Sequence, residues 1–263
     1  MQTDSFSHSE IEQALSQEPY VYPLYYFKST GSTNEEAIKL ACDGAPTGTI
    51  VVANEQTAGR GRGDRQWYTP ASSGLAVSII LRPALPSRQI SHVALLGAIA
   101  TVQAIKSISN LQPKLKWPND VWINGKKVAG ILGESSHGTA GTEWGVLGIG
   151  INVSSGPPAG TTTRHPFSCL EEQSGHPIDR LELLRELIGA VSEHSSNMGT
   201  KTLVSIWEKH MMWRGKRVCV LNPDGTSTDG NVLGIDPDGA LLLDSIDGIV
   251  RHITAGDISR TNT

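Results

Sequence analysis

Three turn signals near the end of the chain constrain its architecture more than any other feature. Asn222-Pro223-Asp224-Gly225, Asp236-Pro237-Asp238-Gly239 and Asp247-Gly248 divide the segment after Trp213 into apolar runs at 218–221, 232–235, 240–244 and 249–253. Proline pre-sets the first turn position; aspartate and glycine supply the local hydrogen bond and the left-handed residue that a tight reversal needs. Parallel strands need long crossovers, which these short links cannot provide. The segment therefore reads as a small antiparallel β-barrel of four or five strands. The pattern upstream of residue 212 is different. The 263 residues thus divide into a polar leader (1–19), a main domain (20–212) and a small barrel domain (213–263).

The main domain mixes both periodicities. An aromatic run at 20–27 predicts a strand. Ser32-Thr33-Asn34-Glu35 then reads as a capping box, followed by an apolar helical stripe at Ala37, Ile38, Leu40 and Ala41 and a stop at Gly44. Strands are expected at 49–54, 75–81, 115–117, 121–123, 129–134 and 144–153, and a helix through Ile90, Val93, Ala94, Ala98, Ile99, Val102 and Ile105. The Gly-, Pro- and Thr-rich stretch 154–177 reads as a long loop. Two more helices follow, one through Leu181, Leu184, Leu187, Ile188 and Val191, the other through Leu203, Ile206 and Trp207.

Several classes are disfavoured at once. The first 18 residues carry no apolar signal-peptide core, and the most apolar run, 93–105, is interrupted and too short to span a bilayer. Cys42, Cys169 and Cys219 form neither a metal spacing nor a disulfide framework, which suits a reducing, cytoplasmic setting. A net charge of −4 argues against bulk binding to DNA or an anionic membrane, so any anion must be met by a local basic cluster.

One such cluster is Gly59-Arg60-Gly61-Arg62-Gly63-Asp64-Arg65-Gln66-Trp67. Glycines let the backbone approach a ligand, and arginine forks supply charge-assisted hydrogen bonds to phosphate or carboxylate. It is not a Walker loop, and Asp64 breaks the dinucleotide fingerprint. A solvated surface loop is the plain alternative. A second segment, Lys116-Trp117-Pro118-Asn119-Asp120, leads to the hairpin turn Asn124-Gly125 and to Lys127-Val128-Ala129-Gly130-Ile131, which places Lys127 at the start of a strand. Gly148-Ile149-Gly150-Ile151-Asn152 sets two glycines and a polar side chain in an otherwise buried strand; close approach of a ligand or backbone, or a bulge, would each account for them.

Taken in order, Ser32-Thr33-Asn34, Gln56, the 59–67 loop, 116–120, 127–131 and 148–152 resemble the biotin–protein ligases over about residues 20–260. The resemblance implies an α+β fold: a mixed, mostly antiparallel sheet with flanking helices, like class II aminoacyl-tRNA synthetases, plus an SH3-like C-terminal barrel. The strand reading agrees, since the motifs fall on hairpins and not on βαβ crossovers. It implies activation of biotin by ATP to biotinyl-5′-AMP with Mg²⁺, then transfer to a lysine of a biotin carboxyl carrier protein of a carboxylase such as acetyl-CoA carboxylase. By the same resemblance Ser32, Thr33, Asn34, Gln56, Arg60, Gly61, Arg62 and Lys127 contact biotin. Arg60, Arg62, Trp67, Lys127, Asn152 and Arg260 contact ATP or the adenylate, with Lys127 and Arg60 carrying catalysis. Asp120 is the candidate participant in metal binding, though no ligand set is assigned. Neither DNA nor membrane is an expected partner, and monomer and homodimer both remain open.

Two departures matter. The family loop often reads Gly-Arg-Gly-Arg-Arg-Gly-Arg-x-Trp, whereas Gly63-Asp64 here removes a positive charge and adds a negative one. Only about 20 residues precede the first predicted strand, so the resemblance is to the monofunctional form without an N-terminal DNA-binding domain. A lipoate–protein ligase and a non-catalytic binder of biotin or carrier protein are the alternative readings.

Overall fold

The computed structural model describes residues 6–16, 23–138, 141–158 and 160–260. Seven strands form the main sheet: β1 (Leu24–Phe27), β2 (Ile50–Ala53), β3 (Gly74–Leu81), β4 (Lys114–Lys116), β5 (Asp120–Ile123), β6 (Lys126–Gly138) and β7 (Gly141–Asn152). Their order is β1-β2-β3-β7-β6-β5-β4, with β1 and β2 parallel and every other pair antiparallel. This is the mixed, mostly antiparallel sheet expected. Residues 20–22 of the first predicted strand lie outside the described residues.

The period of two along each strand assigns the faces. Ile50, Val52, Ile79, Leu81, Leu147, Ile149 and Ile151 belong to the main core, whereas Val51, Ile80 and Val146 join Ala37 and Ala41 in a second, smaller cluster. The first face is covered by α3 (Ser91–Ile108) and α5 (Arg180–Ser195), and the second, at one end only, by α2 (Thr33–Cys42). The helical segment around α3, Ser87–Ile108, is longer than the apolar run in the sequence suggests. It is long and apolar enough by composition to cross a membrane, but it is the core helix of this fold. It lies so close to the sheet that a Cβ on Gly97 would stand 2.5 Å from a methyl of Leu147.

The polar leader needs correction. Residues His8–Leu15 form α1, capped by a complete box in which Ser7 and Glu10 exchange hydrogen bonds. Ile11 is fully buried and the Phe6 ring stacks 4.2 Å from the guanidinium of the buried Arg180 on α5. The box is present in the sequence as Ser7-x-x-Glu10, but the apolar stripe is too sparse to announce a docked helix. Conversely, Ser32 sits at the N-cap of α2 but makes no capping hydrogen bond. The first helical N–H, that of Thr33, donates to Gln56 Oε1 at 2.8 Å. The 154–177 stretch is likewise not all loop, since α4 (Leu170–Ser174) lies within it. The turn at Asn124-Gly125 is as expected, both residues having positive φ (48° and 78°).

The second sheet comprises β8 (Arg217–Leu221), β9 (Ser227–Ile235), β10 (Leu241–Ser245), β11 (Val250–Ile253) and β12 (Asp257–Arg260), antiparallel in the order β11-β10-β9-β8-β12. The three turn signals fall between its strands. The small domain docks on the main one through specific polar contacts. Gly199 N–H donates to His92 Nδ1, which leaves Nε2 to donate to Pro237 O at 2.8 Å. Trp117 Nε1 donates to Gly239 O, and Ile235 N–H to Glu208 Oε1 of α6 (Lys201–Glu208).

Candidate active site

The register of three strands builds the floor of the site. Gly148 on β7 pairs with Ser78 on β3 and Leu132 on β6, while Gly150 pairs with Ala76 and Gly130. These positions share the sheet face that α2 covers only at its Val146 end. Two side chains exploit the missing methyl groups. A Cβ on Gly148 would stand 2.0 Å from Asn34 Oδ1, and one on Gly150 2.3 Å from Trp67 Nε1. A Cβ on Gly130 would meet the far edge of the same indole at 3.0 Å. Close approach of the protein's own side chains, and not a bulge, accounts for these strand glycines. The register irregularity in β6–β7 lies elsewhere, at Ser136/His137.

Asn34 is held on this floor by a network. Ser78 Oγ lies 2.6 Å from Asn34 Oδ1 and 2.8 Å from Thr33 Oγ1, and Thr33 Oγ1 donates to Gln56 Oε1 at 3.0 Å. Asn34 Nδ2 donates to Glu134 Oε2 at 2.8 Å. Glu134 Oε1 in turn pairs with Arg60 at 2.8 Å, tying the glycine-rich segment to the floor. That segment is a small hairpin: Gly59 O accepts from Trp67 N–H, Arg60 bridges Gln66, and Gly61 N–H donates to Arg65 O. The hairpin roofs a cavity of about 90 Å³ lined by Ser32, Thr33, Asn34, Gln56, Arg60, Gly61, Arg62 and Lys127, together with the glycine floor. These are the eight residues to which the resemblance gives biotin.

A second cavity, about 410 Å³, adjoins the first. Arg65, Gln66, Trp67 and Lys127 line both. Asp64, Tyr68, Asp120, Asn152, Pro157, Thr162, Thr163, Arg164, His165 and Phe167 complete the second. Lys127 thus stands at the junction, 2.6 Å from Asp120 Oδ1 and 5.4 Å from the Trp67 ring centroid. Its backbone is clamped by the returning loop, Lys127 N–H donating to Pro166 O and Lys127 O accepting from Ser168 N–H. Asn152 lines this side and donates to Ser168 O. Arg60 and Arg62, expected to serve both substrates, line the smaller cavity. Arg260 pairs in β12 opposite Val218, and its side chain lies outside the described residues.

The small domain brings Asp257 into this region. Its carboxylate meets Lys116 at 2.5 Å, His165 at 3.2 Å, Arg164 at 3.3 Å and Arg65 at 3.5 Å. Arg62 donates to the neighbouring Gly256 carbonyl. Burial alone would raise the Asp257 pKa, but the hydrogen bond from His165 and the Lys116 charge outweigh it and hold the carboxyl well below the usual carboxylate range. Burial likewise pushes the Lys116 ammonium down, opposed by Asp120 and Asp257. Sequence reasoning missed Ser78, Glu134, Arg164, His165 and Asp257 as site residues. Ser78 and Glu134 interrupt two apolar strands, a signal that strand periodicity alone assigns to no role.

Among the described residues no group of three His, Cys, Asp or Glu side chains is placed to hold a metal ion. Magnesium commonly binds through one or two carboxylates plus substrate phosphates, with no protein cage. Asp120 and Asp64 on the wall of the larger cavity fit that limited role.

A polar amide-and-hydroxyl pocket, an arginine hairpin above it and a lysine between two cavities are the groups that a ligase joining a carboxylate to a nucleotide needs. Residues 26–152 match the Biotin/lipoate A/B protein ligase family, and residues 215–260 match the Biotin protein ligase C terminal domain. The chain is 36% identical over 256 residues to the Bifunctional ligase/repressor BirA of Bacillus subtilis, covering 96% of this chain and 78% of that protein. It is 37% identical over 224 residues to the Biotin--[acetyl-CoA-carboxylase] ligase of Paracoccus denitrificans, covering 81% and 91%. Its fold superposes on a biotin protein ligase from Aquifex aeolicus in complex with biotin and ATP with a TM-score of 0.74, at 28% identity, covering 91% and 98% of the two chains. The chain belongs to the biotin protein ligase family.

Proposed function

We propose that the smaller cavity takes biotin, the larger takes ATP, and Lys127 acts where the two substrates meet. The observation that carries this reading is the shared wall: Lys127 and Trp67 line both cavities. The enzyme activates biotin with ATP and transfers it to an acceptor lysine. In the first step a biotin carboxylate oxygen bonds to the α-phosphorus of ATP, the α–β P–O bond breaks and pyrophosphate leaves. In the second, the acceptor amine attacks the acyl carbon, AMP leaves and the nitrogen loses a proton. Neither step calls for a nucleophile on the enzyme.

The residue types suit this chemistry. The ureido ring of biotin is uncharged and needs donors and acceptors, which Ser32, Thr33, Asn34 and Gln56 provide. Bringing a carboxylate to a phosphate opposes two anions, so Lys127 and Arg60 reduce the repulsion as charge builds on the α-phosphate. Holding both groups in line supplies much of the remaining acceleration. Arg62 and Trp67 then close over the adenylate and keep water from the mixed anhydride, and Asn152 and Arg260 contact the nucleotide. Mg²⁺, if bound, would offset phosphate charge, and Asp120 is the carboxylate that could help to hold it. The acceptor is a biotin carboxyl carrier domain of an acetyl-CoA carboxylase-type enzyme, in line with the name of the Paracoccus relative. We place the domain boundary near residue 212 and the protein in the cytoplasm.

The test is biotin-dependent exchange of labelled pyrophosphate into ATP, comparing the native protein with Lys127→Ala and Arg60→Ala. Exchange that needs biotin and collapses in Lys127→Ala supports the assignment. Biotin binding without exchange in the native protein would leave a non-catalytic binder, with Asp64 in the loop as the first suspect.

A further inference from the structure

We infer that Glu134 is a positioning residue that couples the biotin pocket to the arginine hairpin and keeps the hairpin closed over the adenylate. The inference rests on the biotin ligase reading. One carboxylate makes both contacts: Oε2 accepts from Asn34 Nδ2 and Oε1 meets the Arg60 guanidinium, each at 2.8 Å. Glu134 stands on β6 opposite Val146, so its backbone is fixed by the sheet beside the first turn of α2, which carries Asn34.

The other hairpin arginines are held from the opposite direction. Arg62 donates to the Gly256 carbonyl and Arg65 pairs with Asp257, both on the small domain. Arg60 is therefore the arginine by which the main domain grips the hairpin. A carboxylate accepts and cannot donate. Glu134 therefore fixes the Asn34 amide with its nitrogen on the carboxylate and its oxygen on Ser78, while the same charge pairs with Arg60. Anything that seats Asn34 correctly also seats the hairpin. Charge-assisted pairs of this kind are strong when shielded, and Arg60 is 41% exposed, which moderates the effect.

The experiment loads the native enzyme with labelled biotin and ATP, removes pyrophosphate with pyrophosphatase, and follows release of biotinyl-adenylate without an acceptor. Glu134→Gln keeps the shape and loses the charge. It should release the adenylate about fivefold to tenfold faster, with trypsin cutting sooner at residues 60, 62 and 65 and the KM for ATP little changed. Glu134→Asp should recover part of the retention. On an Arg60→Gln background, with both proteins loaded with preformed biotinyl-adenylate, Glu134→Gln should add less than about twofold to the release rate, because both changes remove one interaction. Native retention in Glu134→Gln, or full additivity with Arg60→Gln, overturns the inference while leaving the ligase reading intact. A native enzyme that forms no adenylate from biotin and ATP sinks both.

Discussion

Replacing Gly148 by alanine tests the floor of the site directly. The new methyl would stand 2.0 Å from Asn34 Oδ1, 2.7 Å from Cγ and 2.9 Å from Nδ2, so the whole amide must leave its place. It is not a free side chain: Asn34 is 4% exposed and held by Ser78 on one side and Glu134 on the other. Moving it forfeits one neutral hydrogen bond and one to a charged group, together about 3 kcal/mol. Shared between folding and binding, that corresponds to a Tm lower by up to about 9 °C, or to a biotin KM raised by up to about two orders of magnitude. Urea unfolding and biotin-dependent pyrophosphate exchange separate the two. The decisive comparison is Gly148→Ala combined with Asn34→Ala. If the clash is with the amide, the double variant regains stability relative to Gly148→Ala alone, yet biotin use stays lost. A Gly148→Ala protein with native stability and native biotin KM would refute the reasoning, as would a double variant whose losses simply add.

Other consequences are accessible to simpler experiments. Lys127→Gln should lower the maximal exchange rate by at least about a hundredfold while equilibrium binding of biotin persists at a reduced level; an unchanged rate removes Lys127 from the chemistry. Asp257→Asn should destabilise the protein at neutral pH by about 3 kcal/mol, because it strands buried Lys116 without its carboxylate. The carboxyl has a depressed folded-state pKa, so its contribution is full above the ordinary aspartate value of 3.8 and fades as pH falls toward the folded value. Urea midpoints of the two proteins should therefore converge only below about pH 4, and a constant gap across pH would contradict the sign. Ile11→Ala should cost about 2–4 kcal/mol of stability with unchanged KM for biotin and ATP, since fully buried Ile11 belongs to the core and not to the site; a silent substitution would mean that α1 is not docked in solution.

Much of the site is legible in the sequence because its motifs are local. The hairpin 59–67, the turn at Asn124-Gly125 and the glycines at 148 and 150 are each written in consecutive residues. Turn chemistry and strand alternation act over a few residues, so their signals survive without knowledge of the fold. The chain's two mistaken local readings have the same origin. Ser32-x-x-Glu35 matches a capping pattern, but Ser32 makes no capping hydrogen bond, and the helix start is tied down by Gln56, 23 residues away, which accepts from the Thr33 N–H. Ser7-x-x-Glu10 matches the same pattern and does cap, in a segment whose composition alone reads as a leader.

The residues missed in the sequence act only across large separations. Ser78 meets Asn34 across 44 positions, Glu134 meets it across 100, and Asp257 reaches Lys116 across 141. A lone serine, glutamate or aspartate carries no pattern until the sheet register and the docking of the small domain give it a partner. The sequence by itself determined the period of the main strands, the tight turns, the small antiparallel domain and the order of the polar and cationic motifs along the chain. Only the tertiary structure decided which polar side chains face one another, because hydrogen bonds and ion pairs depend on ångström-scale distances between elements that no local propensity encodes.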